Sequence, residues 1–273
     1  FRKVRFGLAG IVLLLLFVLL SAFEPLLTPF RQTNRRWNDI SYWDDYPANA
    51  PPVWMNLLSA RKAATTRFIR DYDEERRESD GVRLVSYRFR YPFDFDEPPA
   101  DLILHFGGQG NVPVIAGILR PDGIELELSR RQFSLEEGRD ARITIDKDAR
   151  PAVLELLRGI EPEEALATLD PASVEPTRAL FAVAGEGMHR DPRPLKGQYE
   201  VHLTALLLDE QASIEEPYLV VSGWVSGLLG TDNAKRDLAS GVLAGVKWAL
   251  LIGLLTASVA VVFGVMVGIV STS

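Results

Sequence analysis

Leu229-Gly230-Thr231-Asp232-Asn233-Ala234-Lys235-Arg236-Asp237-Leu238-Ala239-Ser240 runs without a break into an apolar segment that ends near Val270. From Trp248 to Val270 no residue carries a charge, and about 20 such residues are enough to cross a bilayer as a helix. Residues 248–273 therefore read as a transmembrane helix, with residues 227–247 as its polar motif and amphipathic lead-in. Trp248 sits where an aromatic anchor at headgroup level is expected, and Lys247 lies just outside it. Small residues recur at four-residue spacing, Gly241 with Gly245 and Gly264 with Gly268. Together with Gly253 they mark positions where helix backbones can approach closely in lipid.

A second apolar block lies at the other end. Arg2, Lys3 and Arg5 precede the run Phe6 to Phe23. A signal peptide has the same layout, but this run is too long for its core and lacks an A-x-A cleavage site. Residues 1–29 thus read as a first transmembrane helix. Basic residues ahead of it favour a cytoplasmic N-terminus. Arg31, Arg35 and Arg36 follow soon after, but large domains translocate regardless of such charges. The expected topology places residues 30–247 outside the cytoplasm and makes the protein multi-pass in a plasma or inner membrane. Phe1 is not a methionine, so the chain is expected to continue upstream, and further helices are expected after residue 273.

Between the two blocks the composition is that of a soluble domain. The formal charge of the chain is −7. Setting aside the charges of the two ends leaves the middle at about −10, which argues against a nucleic-acid partner. There are no cysteines, which excludes disulfides and thiolate metal sites. Residues 30–56 form a connector rich in aromatics, prolines and turn formers, including Trp37, Tyr42, Trp43, Asp44, Tyr46, Pro51, Pro52 and Trp54. Residues 57–226 read as one extracytoplasmic domain. It opens with an expected helix from Leu57 to about Tyr72, followed by a charged run from Asp71 to Asp80 that reads as a solvated helix end or turn. Alternating apolar and polar residues then predict strands at Val82 to Tyr91, Leu102 to Phe106, Val112 to Leu119, Ile124 to Ser129 and Ala141 to Ile145. Gly107-Gly108-Gln109-Gly110 reads as a hairpin turn between two of them. Helices are expected at Pro151 to Arg158, Pro162 to Leu169 and Ser173 to Ala184, and closing strands at Tyr199 to Leu208 and Tyr218 to Val225. This is a β-rich α+β domain, an antiparallel sheet or sandwich carrying a few helices.

No catalytic residue stands out. His105, His189 and His202 share no metal-ligand spacing. Asp94-Phe95-Asp96-Glu97 lacks the further ligands and the glycine of a calcium loop. There is no phosphate loop, dinucleotide fingerprint or nucleophile elbow. The sequence assigns no catalytic, cofactor or metal residue and no cofactor to this chain.

The polar motif carries a resemblance. Gly230, Thr231 and Asp232, then Arg236, Asp237, Ser240, Gly245, Gly253, Gly264 and Gly268, resemble the start of the permease domain of binding-protein-dependent ABC importers, in the oligopeptide, dipeptide and nickel class. The family pattern reads approximately LGTDxxGRDxxSRxxxGxxxSLxxG. Three departures stand out: Lys235 replaces the glycine before Arg236, Gly241 follows Ser240 where arginine is usual, and Ala249 stands where a second serine is expected. The phrase Ser21-Ala22-Phe23-Glu24-Pro25 also resembles the outer end of the family's first helix. In the family a short Pro-Pro connector leads directly into the motif, whereas here residues 55–228 intervene after Pro51-Pro52-Val53-Trp54. The middle domain is thus an insertion in the first external loop. The resemblance implies a transport subunit for peptides or related small solutes and not an enzyme. It implies as partners a second permease subunit, two ATP-binding subunits that hydrolyse the ATP, a substrate-binding protein and the lipid bilayer. By the same analogy the motif lies at the outer entrance. A local reading is compatible with this: Thr231 or Asp232 can cap the following helix, and Asp237 suits its first turn. Two other functions remain open, a two-helix membrane sensor with an external ligand-recognition domain and a membrane-anchored hydrolase.

Overall fold

The computed structural model describes residues 5–27, 33–79 and 82–272. Arg2, Lys3, residues 28–32, Asp80, Gly81 and Ser273 lie outside the described residues. The chain begins with helix α1 (Arg5–Leu27), followed by the single turns α2 (Thr33–Arg36) and α3 (Ile40–Trp43) and a 3₁₀ turn at Val53–Leu57. Strands β1 (Arg67–Ile69), β2 (Asp73–Ser79), β3 (Val82–Phe93), β4 (Asp101–Leu119), β5 (Glu125–Leu135) and β6 (Ala141–Thr144) come next. Four helices interrupt the sheet: α4 (Ile145–Asp148), α5 (Arg150–Ile160), α6 (Glu163–Ala167) and α7 (Pro176–Leu180). Strands β7 (Gly197–Leu207) and β8 (Ser213–Ser222) complete it, and α8 (Leu238–Thr272) ends the chain. The architecture is two long apolar helices and a curled antiparallel β-sheet domain.

Strand β4 organises the sheet. Its first half pairs with β8 on one side and β6 on the other, and its second half pairs with β7 and β5. One leaf therefore runs β1-β8-β4-β6 and the other β2-β3-β7-β4-β5, all antiparallel. The switch falls at Gly107 to Gly110, where a register shift follows His105. Gly108 has φ 142°, and a Cβ there would stand 2.0 Å from the Ser213 carbonyl oxygen. This corrects the expected hairpin turn. The glycines let one strand bend and cross between leaves, because only a residue without a side chain tolerates that conformation against a neighbouring backbone.

Alternation then builds the core. Val85, Tyr87, Phe89, Tyr91 and Phe93 of β3 face inward with Tyr199, Val201, Leu203 and Ala205 of β7. They share one apolar cluster with Leu102, Leu104 and Phe106 of the other leaf and with Val153 and Leu157 of α5. In the first half of β4 the opposite face is covered too, since Ile103 and His105 are also buried.

Three local expectations fail for tertiary reasons. The segment 57–72 is not a helix: Ala63 and Thr65 form bridges with Glu97 and Val225, and β1 pairs with β8. Pairing partners supplied by distant strands override the helical pattern of the apolar residues. The charged run at 71–80, expected as a helix end or turn, is instead the edge strand β2. It is stabilised across the ladder by Arg88 to Glu75 at 2.6 Å and Arg90 to Asp73 at 2.5 Å, and its charge discourages edge-to-edge association. The helix expected over 173–184 shortens to α7, preceded by a 3₁₀ turn at Pro171–Ser173. The second apolar helix is longer than expected, beginning at Leu238 and so including part of the lead-in.

Asp101, at the start of β4, accepts hydrogen bonds from the Leu102 and Asp146 N–H groups at 2.8 and 2.9 Å. Burial nevertheless pushes its carboxyl up to about 6, outweighing those bonds. A carboxyl raised above its unfolded value takes up a proton on folding, so its contribution to stability grows as pH falls from about 7 towards 4. Asp101→Asn removes the buried charge and keeps the accepting oxygen. Urea unfolding should show the variant more stable than the native chain by about 1–3 kcal/mol at pH 7.5, with the gap closing near pH 4. A gap independent of pH would contradict this account.

Candidate functional site

The motif residues converge with the connector at the N-terminal end of α8. The Thr231 hydroxyl donates to the Pro47 carbonyl at 2.6 Å and accepts from the Ala50 N–H at 2.9 Å. Its backbone N–H donates to the Ala50 carbonyl at 2.9 Å. A buried threonine with its hydroxyl and N–H both engaged thus stitches the connector to the motif across 180 residues of intervening chain. Asn49 N–H donates to the Asp232 carbonyl, Ser226 N–H to Pro51 and Val53 N–H to Gly227. Gly230 has φ 83°, and a Cβ there would lie 2.3 Å from the Ala50 oxygen.

Asp232 closes its own turn. One carboxylate oxygen accepts from the Ala234 and Arg236 N–H groups at 2.9 Å, and the other from the Arg236 guanidinium at 2.7 Å. Burial opposes ionisation of Asp232, and these bonds outweigh it, holding its carboxyl below the usual range. The same guanidinium lies 4.6 Å from the Trp37 ring centroid. Asp237, not Thr231 or Asp232, caps α8: its carboxylate accepts from the Ser240 N–H at 2.8 Å and from the Ser240 hydroxyl. Both residues are buried. The helix's free N–H groups explain why an acid is needed there.

Lys235 and Gly241 each have a local role. Lys235 stands at φ 63°, a left-handed conformation that glycine adopts without penalty. Its ammonium offsets the strain by donating to the Asp44 carbonyl at 2.7 Å and carboxylate at 2.9 Å. Asp44 also accepts from Arg142 of β6, and the two cations hold its carboxyl below the usual range. Gly241 lies under Trp37, whose ring a Cβ would meet at 2.2 Å. Gly241 therefore packs against the connector. At Gly245, Gly253 and Gly264 a Cβ would meet no described atom within 4 Å, and Gly268 lies near the end of α8.

Lys235→Gly and Lys235→Ala both lose the Asp44 bonds, but only alanine keeps the strain. The glycine variant should unfold at higher urea than the alanine variant, by about 1 kcal/mol. Equal stabilities would show that the backbone there is unstrained.

Beneath the junction lies a cavity of about 1080 Å³ bounded by Leu20 of α1, Leu243 of α8, the connector and the outer face of the first leaf. Its wall includes Tyr46, Phe68 and Arg70. His105 hydrogen-bonds Asp45 at 2.9 Å and stacks on Tyr218 at 4.7 Å between ring centroids. Burial, with Asp237 adding, raises the Tyr46 hydroxyl well above its ordinary value, so Tyr46 is a neutral donor or acceptor at physiological pH. The connector's role here was not legible in sequence. Trp43 is fully buried, with its indole N–H donating to the Arg36 carbonyl at 3.1 Å, so it is a core residue of the junction. Its excess of aromatics over the spacing of any strand or helix was the available signal.

The histidines serve three separate local contacts: His105 as above, His189 with buried Glu161 at 2.7 Å, and His202 near Glu125 at 3.8 Å. Among the described residues no group of three or more His, Asp and Glu side chains is arranged to hold a metal ion.

No protein-family profile matches the sequence. No curated protein matches it either. Among solved structures, TmCBM61 in complex with β-1,4-galactotriose is 9% identical over 58% of this chain and 85% of its own, with a TM-score of 0.19. A CBM4 structure is 10% identical over 55% of this chain and 93% of its own, with a TM-score of 0.18. Likenesses this slight carry no argument about fold or ligand.

Proposed function

We propose that the chain is a transmembrane permease subunit of an ABC importer for peptides or related small solutes, with its sheet domain inserted in the first external loop. The observation that carries this reading is the convergence of Gly230, Thr231, Asp232, Arg236, Asp237 and Ser240 on one polar junction. There both apolar helices, each long enough to cross a membrane, meet the domain. In this reading α1 and α8 cross a plasma or inner membrane, and the domain lies outside. A second permease subunit, two ATP-binding subunits and a substrate-binding protein complete the machine. Gly245, Gly253 and Gly264 face helices of that assembly, where small residues allow close approach. The motif residues brace the entrance and touch no solute. The domain docks the binding protein or shields the mouth, and transport follows alternating access.

The test is uptake of a labelled oligopeptide by cells carrying the full set of subunits, with binding-protein association measured in parallel. Deleting residues 60–222 should reduce both. Unchanged uptake and association would remove the domain from transport. The cavity beside Tyr46 and Tyr218 favours one other reading, a membrane sensor whose ligand sits in that cavity. It would be supported by saturable solute binding to this chain alone, with no uptake from the complete set.

A further inference from the structure

The segment between connector and domain carries large apolar side chains in water. In Pro51 to Ala60 there is no charged residue. Leu57 is 86% exposed, Leu58 78% and, across the gap, Leu228 67%. Trp54, Met55 and Leu229 are exposed as well. A globular surface seldom gathers so many large apolar side chains without something to cover them.

These residues are held in place. Asn56 donates its amide to the Ala63 carbonyl at 2.9 Å and accepts from the Ala63 N–H at 3.0 Å. This reciprocal pair pinches the loop and leaves Leu57 and Leu58 at its tip. The Trp54 indole N–H donates to the Leu228 carbonyl at 3.0 Å. Val53 N–H donates to Gly227, and Gly227 abuts Asp237 so closely that a Cβ there would lie 2.3 Å from the carboxylate. The apolar shelf is therefore fixed to the cap of α8.

The helix pair gives its level. Leu20 and Leu243 line the same cavity, and α1 packs on α8. The apolar run of α1 ends at Glu24, about 6 Å beyond Leu20 at 1.5 Å per residue. The same rise from Leu243 reaches Ala239, next to the cap. Glu24 on the first helix and Ala239 beside the cap of α8, to which the shelf is tied, thus each stand four residues beyond the leucines that line the shared cavity. On this placement the headgroup level lies about two turns above Trp248, where the sequence put it, and Lys247 extends its stem back towards that boundary.

From this, and resting on the membrane-spanning reading above, we propose that Trp54, Met55, Leu57, Leu58, Leu228 and Leu229 insert into the outer headgroup region of the bilayer. This in-plane anchor fixes the sheet domain over the mouth formed by α1 and α8. Tryptophan and leucine suit that depth, where one side is wet and the other apolar.

The absence of cysteine permits single labels. Leu57→Cys, Leu58→Cys, Leu208→Cys and Leu255→Cys, each in the full chain, are labelled with an environment-sensitive fluorophore. They are reconstituted in phosphatidylcholine and phosphatidylglycerol vesicles carrying either a headgroup or a mid-chain nitroxide. The headgroup nitroxide should quench positions 57 and 58 at least about twofold more than position 208, which follows β7, and the mid-chain nitroxide should quench position 255. Quenching at 255 without quenching at 57 and 58 would overturn the anchor and leave the membrane reading standing. Loss of quenching at all positions would overturn both. Contact-dependent crosslinking of position 57 to a second copy or another subunit, with no lipid quenching, would assign the shelf to a protein partner and equally overturn the anchor.

Discussion

Arg120→Met should lower the unfolding free energy of the chain by about 3–5 kcal/mol, the usual effect of breaking a buried charge pair on one side. The Arg120 side chain is fully buried at the end of β4. Its guanidinium donates to Asp122 at 2.7 and 3.2 Å, to the Ala182 carbonyl at 2.7 Å and to the Ala179 carbonyl at 3.3 Å. One side chain thus satisfies a carboxylate, the Ala182 carbonyl just beyond α7 and, shared with the Ala182 N–H at 3.2 Å, the Ala179 carbonyl in the last turn of α7. Methionine fills much of the volume and supplies no donor, so the buried Ala182 carbonyl and Asp122 lose the guanidinium, while the Ala179 carbonyl keeps only the Ala182 N–H. Asp122→Asn should cost less, about 1 kcal/mol, because Asp122 is partly exposed and water can replace its partner. Urea unfolding followed by tryptophan fluorescence measures both. A loss below about 1 kcal/mol for Arg120→Met would mean that water already reaches those carbonyls.

Gly230→Ala should open the junction while leaving the sheet intact. The methyl group meets the Ala50 carbonyl oxygen at 2.3 Å, a backbone atom that cannot rotate away, and the positive φ adds strain. The expected cost is about 2–4 kcal/mol, taken locally from the bonds that Thr231 and its neighbours make to the connector. Hydrogen exchange should accelerate at Asn49, Ala50 and Val53 and stay unchanged in β3 and β7. Gly253→Ala is the control, since a Cβ there meets open space. In the importer reading Gly230→Ala also loses uptake. Equal protection of the connector in both variants would contradict the close approach at Gly230.

Much of this molecule is written locally. The two apolar helices follow from long apolar runs almost free of charge. The strands β3, β5 and β7 follow from period-two alternation that puts Tyr87, Phe89 and Tyr91 on one face. The motif at the start of α8 was legible as a set of residue types, but not as a junction. Nothing near Thr231 in sequence announces that its partners are Pro47 and Ala50, or that Asp44 answers Lys235.

What the sequence by itself determined is therefore the apolar ends, the alternating strands and the polar motif, because hydrophobic periodicity is a property of neighbours. Tertiary structure alone decided the rest: that 57–72 pairs instead of coiling, that Asp73 to Ser79 becomes an edge strand, that Gly107 to Gly110 bends a strand instead of ending it, and that the connector closes on the motif. Each of these depends on hydrogen-bond partners supplied by residues far along the chain, and local sequence does not encode such partners.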